Sequence, residues 1–431
     1  MNSIAIYTKS LTARQAYIFD FVWVDVFGCA IQYCDDLNQF KNIDGFKINY
    51  STEIVPADFS VVPHGILFED TIQSQELHIS RWKGLPIFFQ TKGAEIPFDI
   101  FSAAFYLITR YEEYLPYTPD LYQRFPHENS LAYQHHFLQI PLVDQWLQAF
   151  KKLLQNKNQS LSFKKNTFQF IPTYDIDIAY SYLGKGLARN VAASLQNFIN
   201  GEFSQIKKRI RVLQQQEKDP YDSYDFLDDL HAQYSLNPIY FFLVGKNGRL
   251  DKNLAFENGH MQKVFNRISK KYLVGIHPSY QSHKDTQILQ LEIAKIKSTR
   301  SRQHYIRFTL PTTYQHLIDQ GITEDYSMGY GSINGFRAST SFPFHWFNVS
   351  KNEVTVLKVY PFCYMECNSF FEQKLTASQS KDEMLHYFHE VQKVEGTLIS
   401  IWHNFSLGSD PLWAGWREIY ADVLQYVSSN K

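Results

Sequence analysis

Long apolar runs are missing from this chain. A membrane-spanning helix requires about 20 largely apolar residues, and the longest candidate, residues 17–31, is broken by Asp20 and Asp25. No membrane span is expected. Excess charge is missing too: 42 Lys and Arg stand against 43 Asp and Glu, a formal net charge of −1. A total so balanced favours neither nucleic acid nor an anionic membrane as partner. The short basic run Lys207-Lys208-Arg209-Ile210-Arg211 reads as one face of a solvated helix. Cysteine is scarce, with four residues in two close pairs, Cys29/Cys34 and Cys363/Cys367. Neither pair has the two-residue spacer of a zinc knuckle or redox motif, so buried free thiols in a reducing compartment are expected. The N-terminus lacks a basic region followed by a long apolar stretch, so no signal peptide is read and a soluble, cytoplasmic chain is the expectation. Repeats and low-complexity tracts are absent as well.

What the chain has in abundance is aromatic rings: 16% of its residues, with 35 Phe and 28 Tyr. Large aromatic cores explain most of that surplus, and a sugar-binding cleft would use the same residue types. At 431 residues the chain exceeds one ordinary core, so two or three domains are expected. Residues 1–120 alternate short strands (4–7, 60–62, 86–90) with helical patterns (13–27, 98–114), the mark of a small α/β domain of unassigned role. Residues 121–165 are rich in Pro, His, Asn and Gln, hold one good helix (142–154), and read as a connector. In residues 166–431 strands are predicted at 168–174, 238–244, 272–276, 304–308, 354–360 and 397–402. Helical patterns at 223–233, 261–271, 285–298, 314–320, 380–394 and 413–427 separate them. Repeated strand–helix units predict a parallel sheet, closed or nearly closed, with its chemistry at the strands' carboxyl ends. Residues 191–217 read as a helical insertion, polar on one face, that covers the site.

The first of these strands ends in Thr173-Tyr174-Asp175-Ile176-Asp177. Side chains alternate along a strand, so Asp175 and Asp177 share a face. Such a pair can bind a metal, share a proton, or divide those tasks. Later strand ends carry His277, Arg337 and His403. Singly, each has an ordinary explanation: a structural histidine, an interdomain ion pair, a chance D-x-D. Their common position at one end of successive strands is harder to assign to chance.

The order Thr-x-Asp-x-Asp, Gly275-Ile276-His277, Gly335-Phe336-Arg337 and Trp402-His403-Asn404 resembles the polysaccharide deacetylases, carbohydrate esterase family four. It is most similar to a bacterial subgroup with an added N-terminal domain. The resemblance implies an α/β fold with an incomplete (β/α) barrel, and a metal-dependent hydrolase removing an acetyl group, N-acetyl first, from a sugar of a polysaccharide or its precursor. It implies Asp175 as catalytic base, Arg337 as the arginine that holds that base, and His403 as general acid. It implies Asp177 and His277 as ligands of a divalent metal, zinc by expectation. Tyr280, Trp402 and Asn404, next to the two histidines, become the expected substrate contacts. Two positions depart from the family pattern. Gln281 stands where a second metal-binding histidine is expected, leaving Ser279, Ser282, His283 or water to complete the shell. The acid that tunes His403 has Glu366 as its nearest candidate. Two alternatives stay open: a degenerate, glycan-binding member of the same fold, favoured by Gln281, and a glycoside hydrolase pairing Asp175 with a second carboxylate such as Glu324.

Overall fold

The computed structural model describes residues 3–430. Its first sheet joins β1 (Ser3–Tyr7), β2 (Ala30–Cys34), β3 (Phe46–Asn49) and β4 (Phe59–Ser60) in the order β2-β1-β3-β4, all parallel. β2 and β3 carry mixed polar and apolar residues, Ala-Ile-Gln-Tyr-Cys and Phe-Lys-Ile-Asn, and were not among the predicted strands. The predicted helix 13–27 is an α-helix over Ala13–Phe19 that widens into π-type winding over Asp20–Val26. Thr12 caps its start in a reciprocal pair with Gln15. A small antiparallel hairpin, β5 (Ser80–Trp82) and β6 (Leu85–Ile87), follows. Helix Ile100–Ile108 is buried on every side, and Asp99 caps it by accepting from the Phe101 and Ser102 amides.

The expected connector packs firmly. Its helix, Leu142–Lys157, buries Trp146, Leu147 and Phe150. Asp144 on that helix accepts from the Thr340 and Ser341 hydroxyls and the Ser341 amide, so it ties the connector to the C-terminal part. One continuous core includes Trp23, Trp146 and Trp402.

The second sheet contains β7 (Gln169–Ile176), β8 (Ile239–Leu243), β9 (Leu273–His277), β10 (Arg300–Ser301), β11 (Glu324–Asp325), β12 (Phe344–Asn348), β13 (Glu353–Val359), β14 (Tyr364–Met365) and β15 (Thr397–His403). Its order is β12-β13-β11-β10-β9-β8-β7-β15-β14. All neighbours are parallel except the β12–β13 pair. Among the described residues no pairing joins β12 to β14, so the sheet is open and no closed barrel forms. The same residues contain no helix long and apolar enough to cross a membrane. Cys29, Cys34 and Cys363 are buried free thiols, and Cys367 is a half-buried one.

One strand differs from prediction in a way that matters. Residues 304–308, His-Tyr-Ile-Arg-Phe, alternate like a strand, yet His304–Ile306 is a tight turn with Tyr305 and Ile306 at φ +59° and +51°. The strand is β10, four residues earlier and only two residues long, where Ser301 pairs with Ile276. Its brevity leaves no alternating pattern to read. The shift puts Arg302 and His304, not Phe308, just past a strand's carboxyl end.

On the outer face of β7, Tyr174 meets His231 of helix Tyr224–Tyr234, with Nε2 2.7 Å from the phenol oxygen. Burial pushes the His231 imidazole down to about 4. Unfolded chains therefore bind this proton more readily than folded ones between pH 6.5 and 4, and stability falls as pH drops through that window. About 2.5 pH units correspond to roughly 3 kcal/mol. Denaturant titrations at pH 7 and pH 4 are expected to show the parent chain losing about that much more stability than His231→Phe. Equal losses would remove His231 as the titrating group.

Candidate functional site

Strand pairing brings the chemistry together. In register, His403 on β15 lies beside Asp175 on β7, Asp175 beside Phe241 on β8, and Leu243 beside His277 on β9. The β9–β10 pair adds Arg302 and His304. Five adjacent carboxyl ends thus surround a cleft of about 230 Å³, lined in part by Asp175, Asp177, His277, His304 and His403.

Asp175 is 2% exposed and receives a hydrogen bond from Arg302 Nη1 at 2.9 Å. Arg302 is fully buried, donates Nε to the Tyr326 carbonyl at 3.1 Å, and lies 4.3 Å above the Phe241 ring. Glycine at 275 makes that stack possible, since a Cβ there would sit 2.5 Å from the Phe241 ring. The arginine beside Asp175 is therefore Arg302 and not Arg337, a correction to the sequence reading. Arg337 gives Nε and Nη2 to the two oxygens of Glu113, at 2.8 and 2.6 Å, and Glu113 also receives Arg110 Nε at 2.7 Å. These buried charges neutralise one another and join the N-terminal part to the C-terminal part.

Asp177, His277 and His304 each offer one ligand atom, and the three atoms lie within 4.8 Å of one another. His277 Nε2 is 3.2 Å from Asp177 Oδ1, and His304 Nε2 is 3.5 Å from Asp177 Oδ2. The Nδ1 atoms point elsewhere. That of His277 donates to the Arg302 carbonyl at 2.5 Å, and that of His304 to Asp251 Oδ1 at 2.7 Å. Held this way, each ring turns its Nε2 toward Asp177, the usual outer support of metal-binding histidines. Asp177 Oδ1 is buried without a hydrogen bond. Two imidazole nitrogens and one carboxylate oxygen with room for a fourth ligand fit a divalent metal. Burial would raise the Asp177 carboxyl, but His304, His277 and His403 outweigh it and hold it well below the usual range. Burial likewise opposes charge on His304, yet Asp177 and Asp251 lift its imidazole to about 9.

His304 stands where Gln281 was expected to fail. Gln281 is exposed on the turn after β9. Ser279 and Ser282 bond within that turn, and His283 Nδ1 lies 3.2 Å from Thr313 Oγ1. None of these residues lines the cleft.

Across the cleft, His403 Nε2 is 3.5 Å from Asp177 Oδ2. Its Nδ1 is 2.9 Å from Glu366 Oε1, the carboxylate that also accepts the His403 amide at 2.7 Å and the Ser406 hydroxyl at 2.7 Å. Burial would lower the imidazole, but the Cys367 sulfur and Glu366 beside it raise it well above the ordinary range. The Cys367 thiol is itself pushed up to about 12 by burial and Glu366.

The three expected substrate contacts lie elsewhere. Trp402 points to the opposite face of β15, fully buried 4.5 Å from the Tyr420 ring. Asn404 gives its amide to the carbonyls of Ile178, Ala179 and Tyr221 and so pins the loop after β7. Tyr280 acts through its backbone, whose N–H donates to Asp251 at 3.0 Å, while its ring lies under Arg307. The cleft instead offers Arg124, Gln303, Tyr305, Phe371 and Phe405. Arg124 comes from the connector and donates Nη1 to the Tyr305 carbonyl at 2.9 Å.

Residues 4–159 match a sequence family described as "Family of unknown function (DUF7033)". No curated protein matches the chain. Twenty chains of solved structures match. One is described as "Crystal structure of putative polysaccharide deacetylase from Mycobacterium smegmatis", at a TM-score of 0.41 and 10% identity over 62% of this chain and 85% of that one. A likeness so loose does not bear on the site.

The donor set has a direct check. Zinc titration by calorimetry is expected to find one site in the parent chain and in Gln281→Ala, and affinity at least about tenfold weaker in His304→Ala. Retention of full affinity by His304→Ala would overturn the assignment.

Proposed function

We propose that the protein is a metal-dependent hydrolase that removes an acetyl group, N-acetyl in the first place, from a sugar of a polysaccharide or its precursor. The observation that carries the reading is a carboxylate, Asp175, fixed by Arg302 beside a three-donor group and facing a histidine backed by a buried glutamate. The sequence resemblance to the polysaccharide deacetylases supports it, with the base-holding arginine moved to Arg302 and the third ligand to His304.

A divalent metal held by Asp177, His277 and His304, zinc by the chemistry of the donors, would supply a Lewis acid for the acetamide carbonyl and acidify a water. Asp175 is the base. Arg302 occupies its Oδ1, leaving Oδ2, 3.7 Å from His277 Nε2, to take the proton from the attacking water. His403 is the acid. Glu366 holds the Nδ1 side, so Nε2 faces the cleft and gives a proton to the departing sugar amine. Walls from Tyr305, Phe371 and Phe405 suit the apolar faces of a sugar ring.

The degenerate, glycan-binding alternative rested on Gln281, and His304 removes that support. A glycoside hydrolase needs a second carboxylate across the sugar. Glu324 pairs with Arg300 at 2.9 Å and does not line the cleft.

With N-acetylated oligosaccharides as substrates, acetate and new reducing ends can be counted side by side. Asp175→Asn is expected to slow acetate release by about 10²–10⁴-fold with zinc content unchanged. Undiminished acetate release by that variant, or release of reducing ends by the parent chain, would contradict the reading.

A further inference from the structure

The insertion after β7 folds as a helical hairpin, Gly186–Ile199 and Phe203–Leu213. Its amphipathicity is inverted. Asn190 is the buried residue of the first helix, and Arg209 and Val212 are those of the second. Arg209 donates to Ser194 Oγ at 2.8 Å and Asn197 Oδ1 at 2.9 Å, and its guanidinium lies 4.9 Å from the Tyr182 ring centroid. Asn190 donates to the carbonyls of Tyr182 and Gly186. Hydrogen bonds and one buried cation hold this hairpin.

The large apolar side chains point outward. Leu187, Val191, Leu195 and Phe198 recur at intervals of three and four residues, so they share one helical face. Together with Ile199 they are 60–82% exposed. Phe203, Ile210 and Leu213 extend the ridge along the second helix at 40–54% exposure. Phe198 and Phe203 meet edge to face at the tip, 5.6 Å apart. A contiguous exposed ridge of this kind marks an interaction surface.

Its charge says which kind. Residues 185–217 hold six Lys and Arg against Glu202 and Glu217, in a chain whose total is −1. Arg189, Lys207 and Arg211 are exposed. Lys208 donates to the Ser409 carbonyl in the loop after β15, and Arg189 to Asn247 in the loop after β8. The hairpin therefore stands at the carboxyl-end face of the sheet, the same face as the cleft.

We propose that this hairpin docks the protein on the surface of an anionic phospholipid bilayer, with the apolar ridge in the interface and Lys207 and Arg211 against lipid phosphates. Apolar and basic residues together are what an interfacial anchor needs. A second copy of the same face would set like charges against each other and is disfavoured. Docking in this orientation presents the cleft to the membrane, where sugars carried on lipids are found. The docking itself stands apart from the hydrolase reading.

Sedimentation of the full chain with phosphatidylglycerol vesicles, against phosphatidylcholine vesicles, tests it. The parent chain is expected to bind the anionic vesicles at least about tenfold more tightly. The double variant Leu195→Glu/Phe198→Glu alters only exposed positions and is expected to lose that binding. Lys207→Glu is expected to weaken it while leaving the melting temperature unchanged. Absence of binding to anionic vesicles, binding by the double variant equal to the parent's, or a dimer that the double variant dissolves without any vesicle binding would each overturn the proposal.

Discussion

The buried ion pair between Arg302 and Asp175 is the constraint on which the rest of the cleft depends. One residue performs three tasks there. The Arg302 guanidinium fixes Asp175, its carbonyl oxygen fixes the His277 ring, and its amide bonds the Ile276 carbonyl to seat the start of the β10 turn against β9. Two residues on, the same turn delivers His304. A fully buried cation is tolerable only when paired and hydrogen-bonded, so the arginine cannot relax without leaving Asp175 uncompensated. Asp175, His277 and the approach to His304 are thus set by a single side chain and its own backbone.

Much of this was legible in the sequence, and the reason is periodicity. The apolar strand that ends in Asp175 and Asp177 announces two acids on one face, and His277 and His403 close strands whose residues are apolar enough to read. Arg302 and His304 were not legible. β10 is two residues long, and the aromatic alternation of 304–308 imitates a strand where the chain turns through left-handed conformations. Arg337 misleads for a different reason. It is a fully buried arginine at the expected place in the order, but its charge is matched by Glu113 from the N-terminal part, a partner that strand spacing cannot reveal. Trp402 and Asn404 adjoin His403 in sequence, yet strand alternation and carbonyl bonding send them away from the cleft.

Averages concealed as much as short strands did. A chain-wide charge near zero hides one basic hairpin, and the amphipathic pattern of residues 186–213 does not say which face is inside. The buried Asn190 and Arg209, with Lys208 bonded to the Ser409 carbonyl, show that the polar side faces the body. The connector was likewise underrated. It carries Asp144 into the C-terminal part and places Arg124 at the cleft wall, so residues 121–165 belong to the working architecture.

The chemistry of the cleft turns on whether Asp177, His277 and His304 hold one metal ion together. X-ray absorption at the zinc edge of the loaded protein tests it most directly. Nitrogen and oxygen neighbours at about 2.0–2.1 Å are expected, with the outer-shell pattern of two imidazoles and no sulfur. A sulfur neighbour at about 2.3 Å, which would place zinc on Cys367, or the signature of a single imidazole, would contradict it.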